Sequence, residues 1–360
     1  MKSSKRICAL LLSLLLLLGI CGVGAAAAAD SKTVSLLCYN VAGLPNINYF
    51  LGKEDGIDVQ SNQQQLGVQL NQTDYAFIAV QEDFTFHNNL VNGLDAFPYK
   101  TNHSGGVPGG DGLNYFSKYP IYNEKRTPWD QLYGVIDDGA DEMTPKGILY
   151  ACIDLGDGIL IDVYDMHADA YGDAGSQAAR EDNFRQLAAM INANKNDRPI
   201  IVTGDFNASI HQSDDDGLYE TLYQGCGLKD AWVELHNGGN YTDFTYWEET
   251  VGGGWPNYWG VWDSLEKFLY RDGGGIHVEA NTFAYTDFLN DKGASISDHK
   301  AAEATFTFTK TADFKDSAQD LSVTRPVKWK NILQRIIVFF KDLFRLVSHW
   351  DEAKAYLGIK

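Results

Sequence analysis

Two short strings carry most of the chemistry this chain can offer. Gly204-Asp205-Phe206-Asn207 follows the apolar run Pro199-Ile200-Ile201-Val202, and Ser297-Asp298-His299 leads into an alternating run that ends at Phe308. Each sets carboxylate, amide or imidazole groups where a strand meets a loop, a usual location for metal-assisted phosphoryl chemistry. Asp205 and Asn207 are two apart, so in extended backbone they point the same way. An Asx-rich turn would account for that pair equally well. Three more strand-end residues join them: Asn40, then Glu82 in Val80-Gln81-Glu82, then His167 in Asp165-Met166-His167-Ala168-Asp169. A carboxylate at a strand terminus, beside an amide from the neighbouring strand, is a common way to hold a hard cation such as Mg²⁺. Taken singly, Glu82 reads as a solvated loop residue and His167 as a structural histidine. Their order along the chain changes that reading.

The elements that must position these groups are mostly strands. Runs rich in branched and aromatic residues occupy 34–39, 75–80, 113–116, 148–153, 159–166, 200–203, 268–271 and 304–308. One clear helix is predicted at 177–194, with Phe184, Leu187, Ala188 and Ile191 on one face. Adjacent strands are often joined by loops too short for a crossover helix, which favours antiparallel pairing over a doubly wound parallel sheet. The expected fold class is α/β (α+β), a four-layer sandwich of two mainly antiparallel sheets packed face to face with helices outside.

Residues 1–29 read as a secretory signal peptide. Lys2, Lys5 and Arg6 precede an apolar stretch from Ile7 to Ile20, and the alanines before Asp30 supply a cleavage signal. That apolar stretch is short for a bilayer span. A lipoprotein reading of Cys21 meets Ile20 where a small residue is expected. Without the three leader cations the chain holds 26 basic against 48 acidic residues, a charge of −22. Such a balance opposes a broad basic groove for nucleic acid, although an enzyme that gathers divalent cations still approaches phosphates locally. Cys38, Cys152 and Cys226 form an odd set with no Cys-x-x-Cys pair, so no disulfide is demanded; Cys38 and Cys152 read as buried small apolar residues.

The expected domain runs over 30–309, followed by a polar linker at 310–324 and a cationic amphipathic helix within 325–360. In 325–350 six basic residues stand against one acid, Asp342. Ile332, Leu333, Ile336, Phe340, Phe344 and Val347 share its apolar face. A helix of this kind suits a membrane interface, or it docks on the acidic body. A second aromatic concentration, Trp247, Trp255, Tyr258, Trp259 and Trp262, follows or surrounds three glycines and offers Trp255, Tyr258 and Trp259 as substrate-binding candidates at a lipid surface. A loop folded over the sandwich is the plainer alternative.

Asn, Glu, His, Gly-Asp-Phe-Asn and Ser-Asp-His, in that order, resemble the endonuclease/exonuclease/phosphatase superfamily over roughly 34–308. Asp111-Gly112-Leu113-Asn114-Tyr115-Phe116-Ser117-Lys118-Tyr119-Pro120, the Lys146-Gly147 pair before a strand, and Arg180 at the start of the long helix look most like the secreted neutral sphingomyelinase branch. The resemblance implies Mg²⁺ or another divalent cation on Glu82, with Asn40 and Asp298 near it. His299 would be the general base, Asp205 would position the attacking water, Asn207 would donate to the developing oxyanion, and His167 would stabilise charge or protonate the leaving alkoxide. The chain departs from the family pattern in places. Leu265-Glu266-Lys267-Phe268 offers Glu266 where an Asp usually orients the base, with Asp263 as fallback, and Asp165 stands where Thr or Asn is commoner, to bind metal or raise the pKa of His167.

The implied function is a secreted or extracytoplasmic metal-dependent phosphodiesterase acting on a phospholipid headgroup, with peripheral membrane contact through 325–350. The alternatives are a secreted nuclease or inositol-phosphate phosphatase, with extended nucleic-acid binding disfavoured by charge, and a non-catalytic membrane-binding module.

Overall fold

The computed structural model describes residues 31–44, 58–107, 109–134, 141, 144–209, 217–242, 265–315, 321–322, 340, 344 and 347. The first sheet takes β1 (Ser31–Asn40), β2 (Phe77–Gln81), β3 (Tyr99–Lys100), β4 (Asn114–Ser117), β11 (Ile276–Thr286) and β12 (Ala301–Lys310) in the order β11-β12-β1-β2-β4-β3. The second takes β5 (Ile121–Pro128), β6 (Gly147–Asp154), β7 (Leu160–His167), β8 (Ile200–Asp205), β9 (Lys229–Asp230) and β10 (Glu266–Arg271) in the order β5-β6-β7-β8-β10-β9.

Pairing is antiparallel throughout except at β1/β2 and β7/β8. A parallel pair needs a crossover. Each has a helix for it: α1 (Val59–Leu70) between β1 and β2, and α3 (Ala174–Ala193) between β7 and β8. The short helices α2 (His87–Val91) and α4 (Ala231–His236) and a π-helical turn at Tyr219–Gln224 complete the helical parts described.

Side chains alternate across each strand, so the two inner faces build one core. Phe268 of the second sheet meets Phe306 of the first with ring centroids 6.0 Å apart, and the Tyr115 hydroxyl crosses the gap to donate to the Leu149 carbonyl at 2.9 Å. The outer face of the first sheet buries Leu37, Tyr39, Ile78 and Val80 with Leu66 and Leu70 of α1. On the second, Asn194 at the end of α3 donates to Asp162 and to the Tyr164 hydroxyl, both on the outer face of β7. Helices therefore flank two facing sheets, as expected from the sequence. Cys38, Cys152 and Cys226 are buried free thiols.

The observed strands are longer than several predicted runs: 304–308 is the middle of β12, and 268–271 lacks Glu266 and Lys267 of β10. Among the described residues no helix is long and apolar enough to cross a membrane. The predicted leader, the aromatic candidates Trp255, Tyr258 and Trp259, and the fallback Asp263 lie outside the described residues. Of the predicted C-terminal helix, Phe340, Phe344 and Val347 are described, and they are helical and exposed.

Candidate active site

Toward one end of the sandwich the inner faces turn from apolar to polar. On β1 the inward series Leu36, Cys38 ends at Asn40; on β2, Phe77 and Ala79 end at Gln81, with Glu82 next; on β7, Val163 leads to Asp165 and His167; on β8, Ile201 and Thr203 lead to Asp205. These are the carboxyl ends of both parallel pairs, and the antiparallel neighbours bring their starts to the same place: Glu266 opens β10, and His299 lies just before β12. Register does the rest. His167 and Glu266 flank Asp205 on either side in the second sheet, and Asn40 pairs with Gln81 in the first.

The side chains converge. Asn40 Nδ2 lies 3.1 Å from Glu82 Oε1, 3.1 Å from Asp205 Oδ2 and 3.4 Å from His299 Nε2. Its oxygen accepts from the Ala42 amide at 3.1 Å, so the amide group, as placed, presents its NH₂ to the site. His299 Nδ1 is 2.5 Å from Glu266 Oε1, and its backbone is fixed by Ser297, whose hydroxyl donates to the Asn40 carbonyl and accepts from the His299 amide. With Nδ1–H engaged by Glu266, Nε2 faces Asn40 at the site centre. The longer Glu266 arm reaches the imidazole from the first position of β10. His167 Nε2 is 3.3 Å from Asp205 Oδ2, and its carbonyl accepts from the Trp129 indole at 2.6 Å. Asn207 donates Nδ2 to the Ala168 carbonyl at 3.0 Å and its backbone N–H to Asp205 Oδ1 at 3.0 Å. Asp298 is exposed on the open side, where its charge is felt by Glu82 and His299.

Backbone strain concentrates here. Glu82 has φ +59° and Asn207 φ +49°; Asn tolerates the left-handed region, whereas Glu adopts it rarely. Gly204 has φ +138°, and a Cβ there would sit 2.0 Å from the Met166 carbonyl oxygen, so only glycine lets β8 lie this close to β7.

The electrostatics separate the two histidines. Burial opposes charge on His299, but Glu266 and Asp205 overcome it and push the imidazole up to about 10. Burial and then Lys146 hold His167 well below its ordinary value. Burial also works against Asp205, yet His167, His299, Lys146 and Asn40 hold its carboxyl below the ordinary range. With His167 neutral, His299 and Lys146 supply that pull. Burial raises the Glu82 carboxyl, against His299, Asn40 and Lys146. Lys146 is buried, paired with Asp141 at 2.5 Å and 3.3 Å from the Ala168 carbonyl. Its sequence signal was the Lys-Gly pair before a strand, but only folding puts its charge beside the site.

Asp165 behaves differently from expectation. Its Oδ1 accepts from Gln81 at 2.7 Å, and burial holds the carboxyl well above its ordinary value, toward the neutral form. His167 is lowered rather than raised. A neutral acid exerts no pull on a neighbouring imidazole.

For a divalent cation, Glu82 and Asp298 supply oxygen donors of the hard type at the open side. A buried carboxylate raised by desolvation gains most from a cation placed on it. Those residues fit such an ion. Asp205, Glu266 and His299 also hold ligand-type atoms within 4.8 Å of one another, although Glu266 and His299 are already engaged with each other.

Comparison with known proteins bears on the family and the fold. The endonuclease/exonuclease/phosphatase family model matches residues 37–264, ending just before Glu266. A sphingomyelinase of Mycobacterium bovis is 32% identical over 294 residues, covering 77% of this chain and 53% of the relative. The chain thus spans about half the length of the curated relatives it matches. Among solved structures, D. rerio TDP2 complexed with a single-strand DNA product superposes with TM-score 0.57 at 16% identity, covering 76% of this chain and 99% of that one. Beta toxin from Staphylococcus aureus, a double mutant with bound magnesium ions, gives TM-score 0.52 at 15% identity, covering 76% and 99%. At those identities the structural likeness concerns the fold.

Proposed function

The chain belongs to the endonuclease/exonuclease/phosphatase family, and from that premise we propose that it is a metal-dependent phosphodiesterase that cleaves a phospholipid headgroup by in-line attack of water. The observation that carries the reading is His299: Nδ1 is held by Glu266, with Asp205 Oδ2 3.8 Å from the same nitrogen, and Nε2 is turned to Asn40 Nδ2, which also touches Asp205. That is the geometry of a general base with an orienting carboxylate.

In this reading His299 works as the base in its neutral form, which a cation bound beside Glu82 would favour by opposing the positive charge that Glu266 and Asp205 hold on the imidazole without one. Nε2 then takes a proton from water, and Glu266 stabilises the imidazolium that forms. Asp205, ionised, accepts from the same water and sets its direction. His167 resists protonation, so it acts through an N–H donated to developing negative charge rather than as a cationic acid. Asn207 supplies the remaining amide hydrogen, and Lys146 makes the potential around Glu82 and Asp205 more positive, which favours their ionised forms. Mg²⁺ or a similar cation would be held by Glu82 with Asn40 and Asp298 beside it, and when bound it polarises the phosphoryl oxygen.

The lipid substrate rests on the sphingomyelinase relative and on the exposed apolar residues Phe340, Phe344 and Val347. Residues 1–29 are proposed as the export signal, and 325–350 as a membrane contact. The net charge of −19 disfavours an extended nucleic-acid substrate.

The test is a panel of sphingomyelin, phosphatidylcholine, plasmid DNA and inositol phosphates, each with Mg²⁺ and with chelator. Release of phosphocholine only with metal supports the proposal. Chelator-sensitive nicking of DNA with the lipids untouched overturns the substrate, and a panel left intact overturns the enzyme.

A further inference from the structure

Just past the end of β2 a second group of ligand-type side chains closes on itself. Asp83 follows Glu82 directly, but its carboxylate serves other partners: Oδ2 lies 2.6 Å from His87 Nδ1 and accepts from Asn114 Nδ2 at 2.8 Å. His103 Nε2 lies 3.1 Å from the Asp83 main-chain oxygen. The imidazoles of His87 and His103 stack, with centroids 4.1 Å apart and planes 5° from parallel. Asp83, His87 and His103 hold ligand-type atoms within 4.8 Å of one another. The sequence signal was slight, since the histidines stand 16 residues apart with no recognisable spacing.

Two imidazoles and one carboxylate form the donor set of a borderline-soft transition metal, not of Mg²⁺, which prefers oxygen ligands and keeps its waters. Three protein ligands also leave a fourth tetrahedral position for water. We propose that Asp83, His87 and His103 form a second metal site, of the Zn²⁺ class. The ion takes the place of the proton between His87 Nδ1 and Asp83 Oδ2, and His87 binds it through Nδ1 as the Nε2–H tautomer; from the neutral imidazole the Nδ1 proton moves to Nε2, and from the imidazolium it leaves to solvent. The contact then opens, because two ligands of one ion sit farther apart than a hydrogen-bonded pair, and one imidazole turns out of the parallel stack, because lone pairs in parallel ring planes do not meet at one ion. Asn114 is the outer partner that orients Asp83, and it is itself fixed by Arg126 Nη2, which donates to its oxygen at 3.0 Å. The site clips α2 and the chain around His103 to the strand end that carries Glu82.

The experiment is Zn²⁺ binding by equilibrium dialysis on the full, metal-stripped chain in excess Mg²⁺. Because Asp205, Glu266 and His299 form another group within reach of an ion, it is done in a His299→Ala background. Adding His87→Gln or His103→Gln is expected to weaken binding by at least about tenfold to a hundredfold. Undiminished affinity in both double variants overturns the site. Should either variant lose its fold, imidazole nitrogen resonances of the His299→Ala chain decide. Two histidines shifting together on Zn²⁺ addition supports the site, and no shift overturns it.

Discussion

Strand β7 carries two buried polar clusters on its opposite faces, and they are completed to different degrees. On the outer face, Asp162 accepts from the Tyr150 hydroxyl at 3.0 Å, Arg198 Nη1 at 3.2 Å and Asn194 Nδ2 at 2.8 Å. Its oxygens have donors and its charge has a countercharge. On the inner face, His167 Nδ1 is buried with no hydrogen-bond partner among the described residues, and Asp165 has Gln81 for one oxygen. Buried polar groups are nearly always satisfied, so an open position inside a protein is informative. A cluster that fastens two elements together is complete, whereas one that must receive a ligand and pass a proton keeps places open.

Variants on each side of the strand can break that contrast. The largest expected effect is His299→Ala, which should lower kcat on the cleaved substrate by about 10²–10⁴-fold; initial rates per folded molecule decide, and an undiminished rate removes His299 as the base. Arg198→Leu leaves Asp162 buried without its countercharge and should cost about 3–5 kcal/mol in urea denaturation, with turnover of the folded fraction kept. Lost turnover at full stability would erase the distinction between the faces. Glu266→Asp withdraws the orienting carboxylate by about 1.5 Å and should reduce kcat by up to about 10²-fold with KM little changed. A variant as fast as the parent would mean that His299 does not depend on that arm. The most gradual effect is of pH. His299 is raised from 6.5 to about 10 in the folded chain, so without divalent cation its contribution to stability is complete below the lower value and is lost as pH climbs through the upper one. The slope cannot exceed about 1.4 kcal/mol per pH unit for one group. Denaturation midpoints between those limits should decline, and less so in Glu266→Gln.

How much of this was legible beforehand depends on the kind of signal. Asn40, Glu82, His167, Asp205 and His299 were legible because each ends or precedes a run of branched residues, and strand ends gather along one edge once the strands pair. β5 (Ile121–Pro128) was missed because an edge strand with five polar side chains in a row, Asn123 to Thr127, lacks the apolar alternation that marks half-buried ones. β11 escaped because its alternation slips at the irregularity between Ala280 and Thr282. Helix α1, rich in Gln, buries Asn62 and Gln63 alongside Leu66 and Leu70, so its apolar stripe was too thin to read. Lys146 reaches Ala168, and His103 reaches Asp83, through contacts distant in sequence, which no local spacing encodes; Asp83 and His87 stand four apart, too short a signal by itself.

The candidate site is divided between the sheets: Asn40, Glu82 and His299 belong to the first, and His167, Asp205 and Glu266 to the second. Both the Asn40–Asp205 contact and the His299–Glu266 contact therefore span the interlayer gap. A slide of about one ångström between the layers, too small to unmake any strand, would already part the imidazole from its carboxylate. Turnover thus becomes a displacement gauge for the docking of the sheets. Pressure, mild heat or a trimmed aromatic at Phe268 or Phe306 should register in rate before it registers in circular dichroism.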